Sequence, residues 1–199
     1  GVYSAVAIPG SVSVNVTGVI QCTLSMLKSS TFPPYAVFTP IMSCTAQAAS
    51  RRPPPNTQEM LARVKNVQSR GFPWYIALQG ETVIGYCYLS RYRERHAYRF
   101  TVENSVYIDP AYQRQGGGKA LLDHALTWAR SQGYRQMIAV VGDSANVASV
   151  ALHLRSGFTE IGTLKDIGFK HGRWLDTVLL QCQLGKGSCT LPDSPVPGR

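Results

Sequence analysis

The clearest signal along the chain is a change of hydrophobic period. Met60, Leu61, Val64 and Val67 recur at helical spacing and stop at Gly71. Asn56, with Glu59 three positions on, forms a capping-box-like start for that helix. Residues 74–78 and 82–88 then read as two strands joined by a turn at Gly80-Glu81. Residues 98–108 read as a long third strand, ended by Asp109-Pro110. Leu121, Leu122, Ala125, Leu126 and Ala129 return to helical spacing up to about Ser131, before Gly133. A short apolar strand at 137–141, a helix at 146–155 and closing strands at 158–163 and 174–183 complete the series. Helix–strand–strand–strand–helix–strand–helix–strand–strand is a mixed α/β order of the α+β type.

The two ends of the chain read less sharply. Val12, Val14, Val16 and Val19 alternate loosely, which predicts a strand somewhere in 12–22. Residues 31–55 hold six prolines, which break any single long helix there. From Gly185 the composition turns Gly/Ser/Pro-rich and predicts a disordered tail over 185–199. The expected organisation is an N-terminal extension over 1–19, one domain over 20–184, and the tail.

Length and composition narrow the class. A chain of 199 residues suits one domain with a substantial core. No apolar run approaches the ~20 residues that span a bilayer. The five cysteines are scattered and form no Cys-x-x-Cys, and the four histidines show no ligand spacing, so no disulfide framework and no metal site are expected. No charged residue precedes Lys28, which argues against a secretory leader; the expected location is the cytoplasm. The net charge of +9 fits either nucleic acid or anionic small molecules. Without a lysine-rich tract or a nucleic-acid-binding signature, the second is preferred.

The anion has a place to bind. Gln113-Arg-Gln-Gly-Gly-Gly-Lys-Ala120 lies between the strand ending at Ile108 and the helix carrying Leu121. Glycine lets the backbone approach an oxyanion, and a helix start offers N–H groups and the positive end of its dipole. A P-loop needs a glycine where Gln113 stands and a Ser or Thr where Ala120 stands. A dinucleotide fingerprint needs a glycine where Leu121 stands. The spacing that fits is Gln-x-x-Gly-x-Gly.

Four further segments are long and correctly spaced: residues 97–108, 135–146, Leu152-His153 with Gly157-Phe158, and 168–178. With the glycine loop, they make residues 74–183 resemble the GNAT superfamily of N-acetyltransferases, in its phosphinothricin and methionine sulfoximine branch. The resemblance implies a central mixed, mostly antiparallel sheet flanked by helices, with strands 98–108 and 137–141 splaying apart at the cofactor. It implies acetyl-CoA as cosubstrate. Backbone N–H groups of Arg114, Gln115, Gly116, Gly117, Gly118 and Lys119 would hold the pyrophosphate. Val106 and Ile108 would offer backbone to the pantetheine and the acetyl carbonyl. Asn146 would bond the pantetheine arm, a role compatible with the helix N-cap for which asparagine is favoured anyway.

Acetylating an amine requires removing a proton, orienting and polarising the thioester carbonyl, and releasing a thiolate. Glu103 is the candidate base. Strand alternation places it with Thr101 and Ser105 on one face, where partial desolvation would raise its pKa. The alternative is an acid paired with an arginine such as Arg99. The resemblance favours the base. His153 is the second catalytic candidate, able to pass a proton near neutrality, against the alternative of a packed histidine. Arg91, Arg93, Arg95 and Arg99 crowd the approach to Glu103. The resemblance implies that Arg93, Arg95 and Tyr98, with Ser105 and Tyr107, receive an anionic amino acid, for which arginine's planar fork is suited.

The activity expected is acetyl transfer to the α-amino group of phosphinothricin, methionine sulfoximine, methionine sulfone or a similar small amino acid, in a homodimer. The alternatives are a protein or peptide N-acetyltransferase and a catalytically silent acetyl-CoA binder. Residues 47–52 lack the aromatic and acidic residues usual in the branch, which leaves the choice of amine open.

Overall fold

A computed structural model describes residues 18–22, 57–80, 82–170 and 172–192. Expectations for the proline-rich stretch, the Asn56 cap and residues 193–199 fall outside the described residues. The elements are β1 (Gly18–Gln21), α1 (Thr57–Ser69), β2 (Trp74–Gln79), β3 (Thr82–Arg91), β4 (Thr101–Ile108), α2 (Gly117–Ser131), β5 (Gln136–Gly142), α3 (Val147–Arg155), β6 (Thr159–Lys170) and β7 (Arg173–Gln183). The strands form one sheet in the order β1-β2-β3-β4-β5-β7-β6. The pairs β1–β2, β2–β3, β5–β7 and β6–β7 are antiparallel, and β4–β5 is parallel. The mixed, mostly antiparallel sheet implied by the resemblance is therefore present.

The chain divides into two compact units, Gly1–Tyr88 with Val106–His124, and Leu89–Ser105 with Ala125–Arg199. In the first, Met60 and Val64 of α1, Ile76 and Ala77 of β2, Ile84 of β3 and Leu121 and Leu122 of α2 are buried. An aromatic stack runs through this unit. Trp74 lies on Tyr86 and Tyr88 at 5.1 and 4.5 Å, and Tyr86 lies on Tyr107 at 4.8 Å. Such pairs contribute about 0.5–1.5 kcal/mol each beyond area burial.

The second unit is built on period-two burial. Met137, Ala139 and Val141 of β5 are buried, as are Val102 and Asn104 of β4. Val178, Leu180 and Cys182 of β7 pair with Val141, Ala139 and Met137 and are buried with them, and Ala125, Leu126 and Ala129 of α2 are buried too. The five apolar positions from which α2 was predicted are all buried.

Three boundaries differ from the sequence reading. The third long strand starts at Thr101 rather than at residue 98, because His96–Tyr98 close a 3-10 turn with Tyr98 N donating to Arg95 O and Arg99 N to His96 O. The strand read as 158–163 extends to Lys170. Its apolar residues, Ile161, Leu164, Ile167 and Phe169, are exposed, so no inward-facing pattern announced it. Residues 185–191, read as tail, are tied down by Arg135, whose guanidinium donates to Gly187 O, Thr190 Oγ1 and Leu191 O at 3.0, 2.9 and 3.2 Å. The chemistry of that anchor sits 52 to 56 residues upstream, and composition does not report it.

Candidate active site

β4 carries the proposed chemistry. Its pairing with β5 runs from Thr101↔Gln136 to Asn104↔Ala139 and stops there, although β4 continues to Ile108 and β5 to Gly142. Glu103 sits opposite Ile138, one residue before the ladder ends. Its side chain is half-buried, on the face shared by Thr101 and Ser105. Desolvation raises the carboxyl above its ordinary value, and the Arg93 guanidinium works against that rise. Arg99, the partner offered by the alternative reading, is engaged elsewhere. It stacks on the Phe100 ring at 4.7 Å and donates to His96 O at 3.1 Å.

The segment preceding β4 is an exposed cationic loop. Arg93, Arg95 and Tyr98 all lie on its surface, and Arg93 stacks on the Tyr92 ring at 4.9 Å. Tyr98 meets Tyr92 edge-on at 6.1 Å. Arg91 lies 3.9 Å from Glu94. Of the four arginines, Arg93 is the one whose charge reaches Glu103.

His153, on α3, is 3% exposed. Its Nδ1 lies 2.8 Å from Ser149 O and its Nε2 lies 2.9 Å from Asn104 Oδ1. Both ring nitrogens thus face acceptor oxygens, so proton exchange with a substrate would require the ring to leave one of these contacts. Burial, the larger influence, pushes the ring below the usual histidine pKa, and the bond to Ser149 opposes it. Asn146 is the N-cap of α3, with Oδ1 accepting from Ser149 N at 3.2 Å.

In the other unit, the glycine loop turns sharply into α2. Arg114 has φ +61° and Gly116 φ +85°, both in the left-handed region. Asp109 starts the turn by accepting from Ala111 N through Oδ1 at 2.9 Å, and its own N–H donates to Ile84 O at 2.9 Å. Gln115 Oε1 accepts from Gln79 Nε2 at 3.5 Å. α2 begins at Gly117, and Ala120 N donates to Gly116 O at 3.0 Å. The amides of Gly117, Gly118 and Lys119 therefore belong to the first turn, where a helix lacks internal acceptors. The Lys119 ammonium is tied to Asp123 Oδ2 at 2.7 Å, one turn along α2. Gly85 on β3 controls the neighbouring end of β4. A Cβ there would stand 2.5 Å from both Tyr107 O and Ile108 Cδ1.

The structure thus gathers Glu103, Ser105, Arg93, Arg95, Tyr98, His153 and Asn146 in one unit, and Val106, Tyr107, Ile108 and residues 114–119 in the other. Sequence reasoning missed Asn104 and Gly85. A polar residue in the buried register of β4, two positions after Val102, is the signal that pointed to Asn104, since a buried amide needs partners. Gly85 carried only the weak signal of a glycine inside a strand.

Comparison with known proteins identifies the family. Residues 40–158 match the Acetyltransferase (GNAT) family. The chain is 41% identical over 172 residues to a phosphinothricin N-acetyltransferase of Alcaligenes faecalis, covering 86% of this chain and 87% of the relative. It is 37% identical over 129 residues to an L-methionine sulfoximine/L-methionine sulfone acetyltransferase of Salmonella typhimurium, covering 65% of this chain and 75% of the relative. A crystal structure of a phosphinothricin acetyltransferase from Sinorhizobium meliloti in complex with AcCoA superposes with a TM-score of 0.76 at 37% identity, covering 92% and 95% of the two chains. With a family match over more than half of its length and a relative this similar along most of both chains, the protein belongs to the GNAT family of acetyltransferases.

Proposed function

We propose that the protein transfers the acetyl group of acetyl-CoA to the α-amino group of a small amino acid whose side chain ends in a phosphinyl, sulfoximine or sulfone group. The observation that carries this reading is Glu103, a carboxylate kept partly out of water beside Arg93, on the strand that leads to the glycine loop. Two relatives acting on such amino acids, by their names, support the substrate class. The end of the β4–β5 ladder at Asn104↔Ala139 agrees with the expected parting of those strands.

In this reading the diphosphate of the donor meets the main-chain amides of residues 114–119, with Val106, Ile108 and Asn146 along the pantetheine arm. Arg93, Arg95 and Tyr98 take the acceptor's anionic groups, aided by Ser105 and Tyr107. Glu103 takes a proton from the acceptor's ammonium. The freed lone pair attacks the thioester carbonyl, the C–N bond forms, and collapse of the tetrahedral adduct breaks the C–S bond. The thiolate leaves and is protonated, and no acyl-enzyme forms. The three buried cysteines are poor nucleophiles for a covalent route: burial pushes Cys22 up to about 12 and raises Cys87 and Cys182. These buried free thiols also favour a reducing compartment such as the cytoplasm. Among the described residues no helix is long and apolar enough to cross a membrane.

A homodimer goes with this reading. β6 ends the strand order, and Ile161, Ile167 and Phe169 on it and Trp174 on β7 are 56–64% exposed. An apolar edge of this kind is normally covered.

Thiol release from acetyl-CoA, measured against free amino acids, their phosphinic, sulfoximine and sulfone analogues, and short peptides, tests the proposal. Turnover of the analogues is the expected result. Turnover of peptides alone would move the assignment to protein N-termini, and no thiol release with any amine would leave a CoA-binding protein.

A further inference from the structure

Asn104 and His153 form a closed polar chain beneath β4. The Asn104 side chain is sealed, at 5% exposure, and both its nitrogen and its oxygen have a partner. Nδ2 donates to Ile138 O at 3.2 Å, and Oδ1 accepts from His153 Nε2 at 2.9 Å. The His153 ring continues through Nδ1 to Ser149 O at 2.8 Å, one turn back on α3. The ring's other freedom is removed by Phe158, which meets it edge-on at 5.0 Å.

The orientation of this chain is fixed by chemistry. Ile138 O and Ser149 O can only accept. The amide nitrogen of Asn104 must therefore face Ile138, which leaves its oxygen for His153. That oxygen calls for Nε2–H and Ser149 O calls for Nδ1–H; the neutral ring carries one N–H and satisfies one of them, and the imidazolium satisfies both. Reversing the amide would set two oxygens against each other at Ile138.

Its position matters more than its satisfaction. Asn104 is the last β4 residue in register with β5, and Ile138 is the residue opposite Glu103. The side-chain amide therefore holds the two strands together at the point where their ladder ends, immediately after the residue assigned to proton removal. A hydrophobic residue of similar volume would fill the space and supply neither bond.

We propose that Asn104 is a positioning residue for acetyl transfer: its amide couples the His153 ring on α3 to the end of the β4–β5 ladder and so sets the direction in which β4 presents the Glu103 carboxylate. This rests on Glu103 being the base. It gives His153 a part that needs no contact with substrate, which matches a buried ring whose two nitrogens both face protein oxygens.

The test joins a readout of the bond to one of the reaction. In the substrate-free protein labelled with 15N, the ring nitrogens of His153 are identified by their loss in His153→Gln and followed in Asn104→Ala and Asn104→Asp. The expected result is a shifted His153 Nε2 signal in Asn104→Ala, with kcat lowered about 100-fold and the KM for acetyl-CoA within about threefold of wild type. Asn104→Asp, which keeps an acceptor toward Nε2, is expected to retain the signal of a protonated Nε2 and to recover part of kcat. Unmoved His153 signals in Asn104→Ala, or a kcat within about twofold of wild type in the folded variant, would overturn the proposal. Should Asn104→Ala fail to fold, Asn104→Ser carries the same two readouts, since a hydroxyl is too short to bridge Ile138 O and Nε2 together. If the wild type itself acetylated no amine, the assignment of Glu103 would fail, while the nitrogen spectra would still decide whether Asn104 holds His153.

Discussion

The Arg93 guanidinium and the Glu103 carboxyl act against each other's surroundings: burial on β4 raises the carboxyl, and the cation on the preceding loop pulls it back. A base of this kind works best with a pKa close to the working pH.

Glu103→Gln separates chemistry from binding. Turnover is expected to fall about 10²–10⁴-fold, with acetyl-CoA affinity unchanged. Stability should move the other way. The folded-state pKa of Glu103 lies above its unfolded value, so the wild type loses stability as pH rises through the folded value. Glutamine never ionises, so the variant should be the more stable protein at neutral pH and equal to wild type below the carboxylate range. Denaturant melts at the two pH values check this; a variant less stable at neutral pH would contradict it.

Arg93→Gln removes the opposing charge. The Glu103 carboxyl then rises further, and the acid limb of kcat/KM moves to higher pH. The KM of the amino acid should rise as well, because the same guanidinium is assigned to its anionic end. A pH–rate profile superimposable on the wild type would remove Arg93 from both roles.

Gly116→Ala tests the loop. With φ +85°, the backbone there admits a Cβ at a cost of about 1–2 kcal/mol. If the loop grips the donor through its amides, the KM for acetyl-CoA should rise about tenfold, with kcat at saturation retained. A calorimetric titration with CoA gives the same answer without the amine. Unchanged affinity would mean that the diphosphate is held elsewhere.

Gly85→Ala should be worse than its size suggests. The new methyl would meet the Tyr107 carbonyl and Ile108 at 2.5 Å, and a main-chain oxygen cannot step aside alone. Overpacking of this kind costs about 1–3 kcal/mol, and the end of β4 should shift with it, reducing kcat/KM. Gly162→Ala, where a Cβ meets nothing within 4 Å, is the matched control and should leave stability nearly unchanged. Similar losses in both would show that the close approach at Gly85 is not the cause.

Phe169→Asp places a charge on the exposed end of β6. Light scattering after size exclusion should report a wild-type dimer and a variant monomer. A wild-type monomer would remove the second copy from the proposal.

Much of this protein was written in hydrophobic period. The short apolar run of β5, the buried stripe of α2 and the turn at Gly80 follow from local sterics and from which residues must leave water, so they could be read from the sequence. The glycine loop was legible for the same reason, since its chemistry is main-chain chemistry at consecutive positions. Glu103 stood out as a charge in an apolar and hydroxylic strand. Which arginine faces it did not: Arg93 and Arg99 are equivalent in sequence, and the 3-10 turn at His96–Tyr98 decides between them. The partnership of Asn104 with Ile138 and His153 was likewise invisible, because α3 and β5 reach it only through folding. The length of β6 was hidden too, since an edge strand with exposed apolar side chains has no alternation to display. Local pattern fixed which segments become helix or strand and where an anion can meet bare backbone. Only the tertiary structure chose the partners of each buried polar group, because those bonds join residues far apart in the chain, and their strength depends on the water that folding excludes.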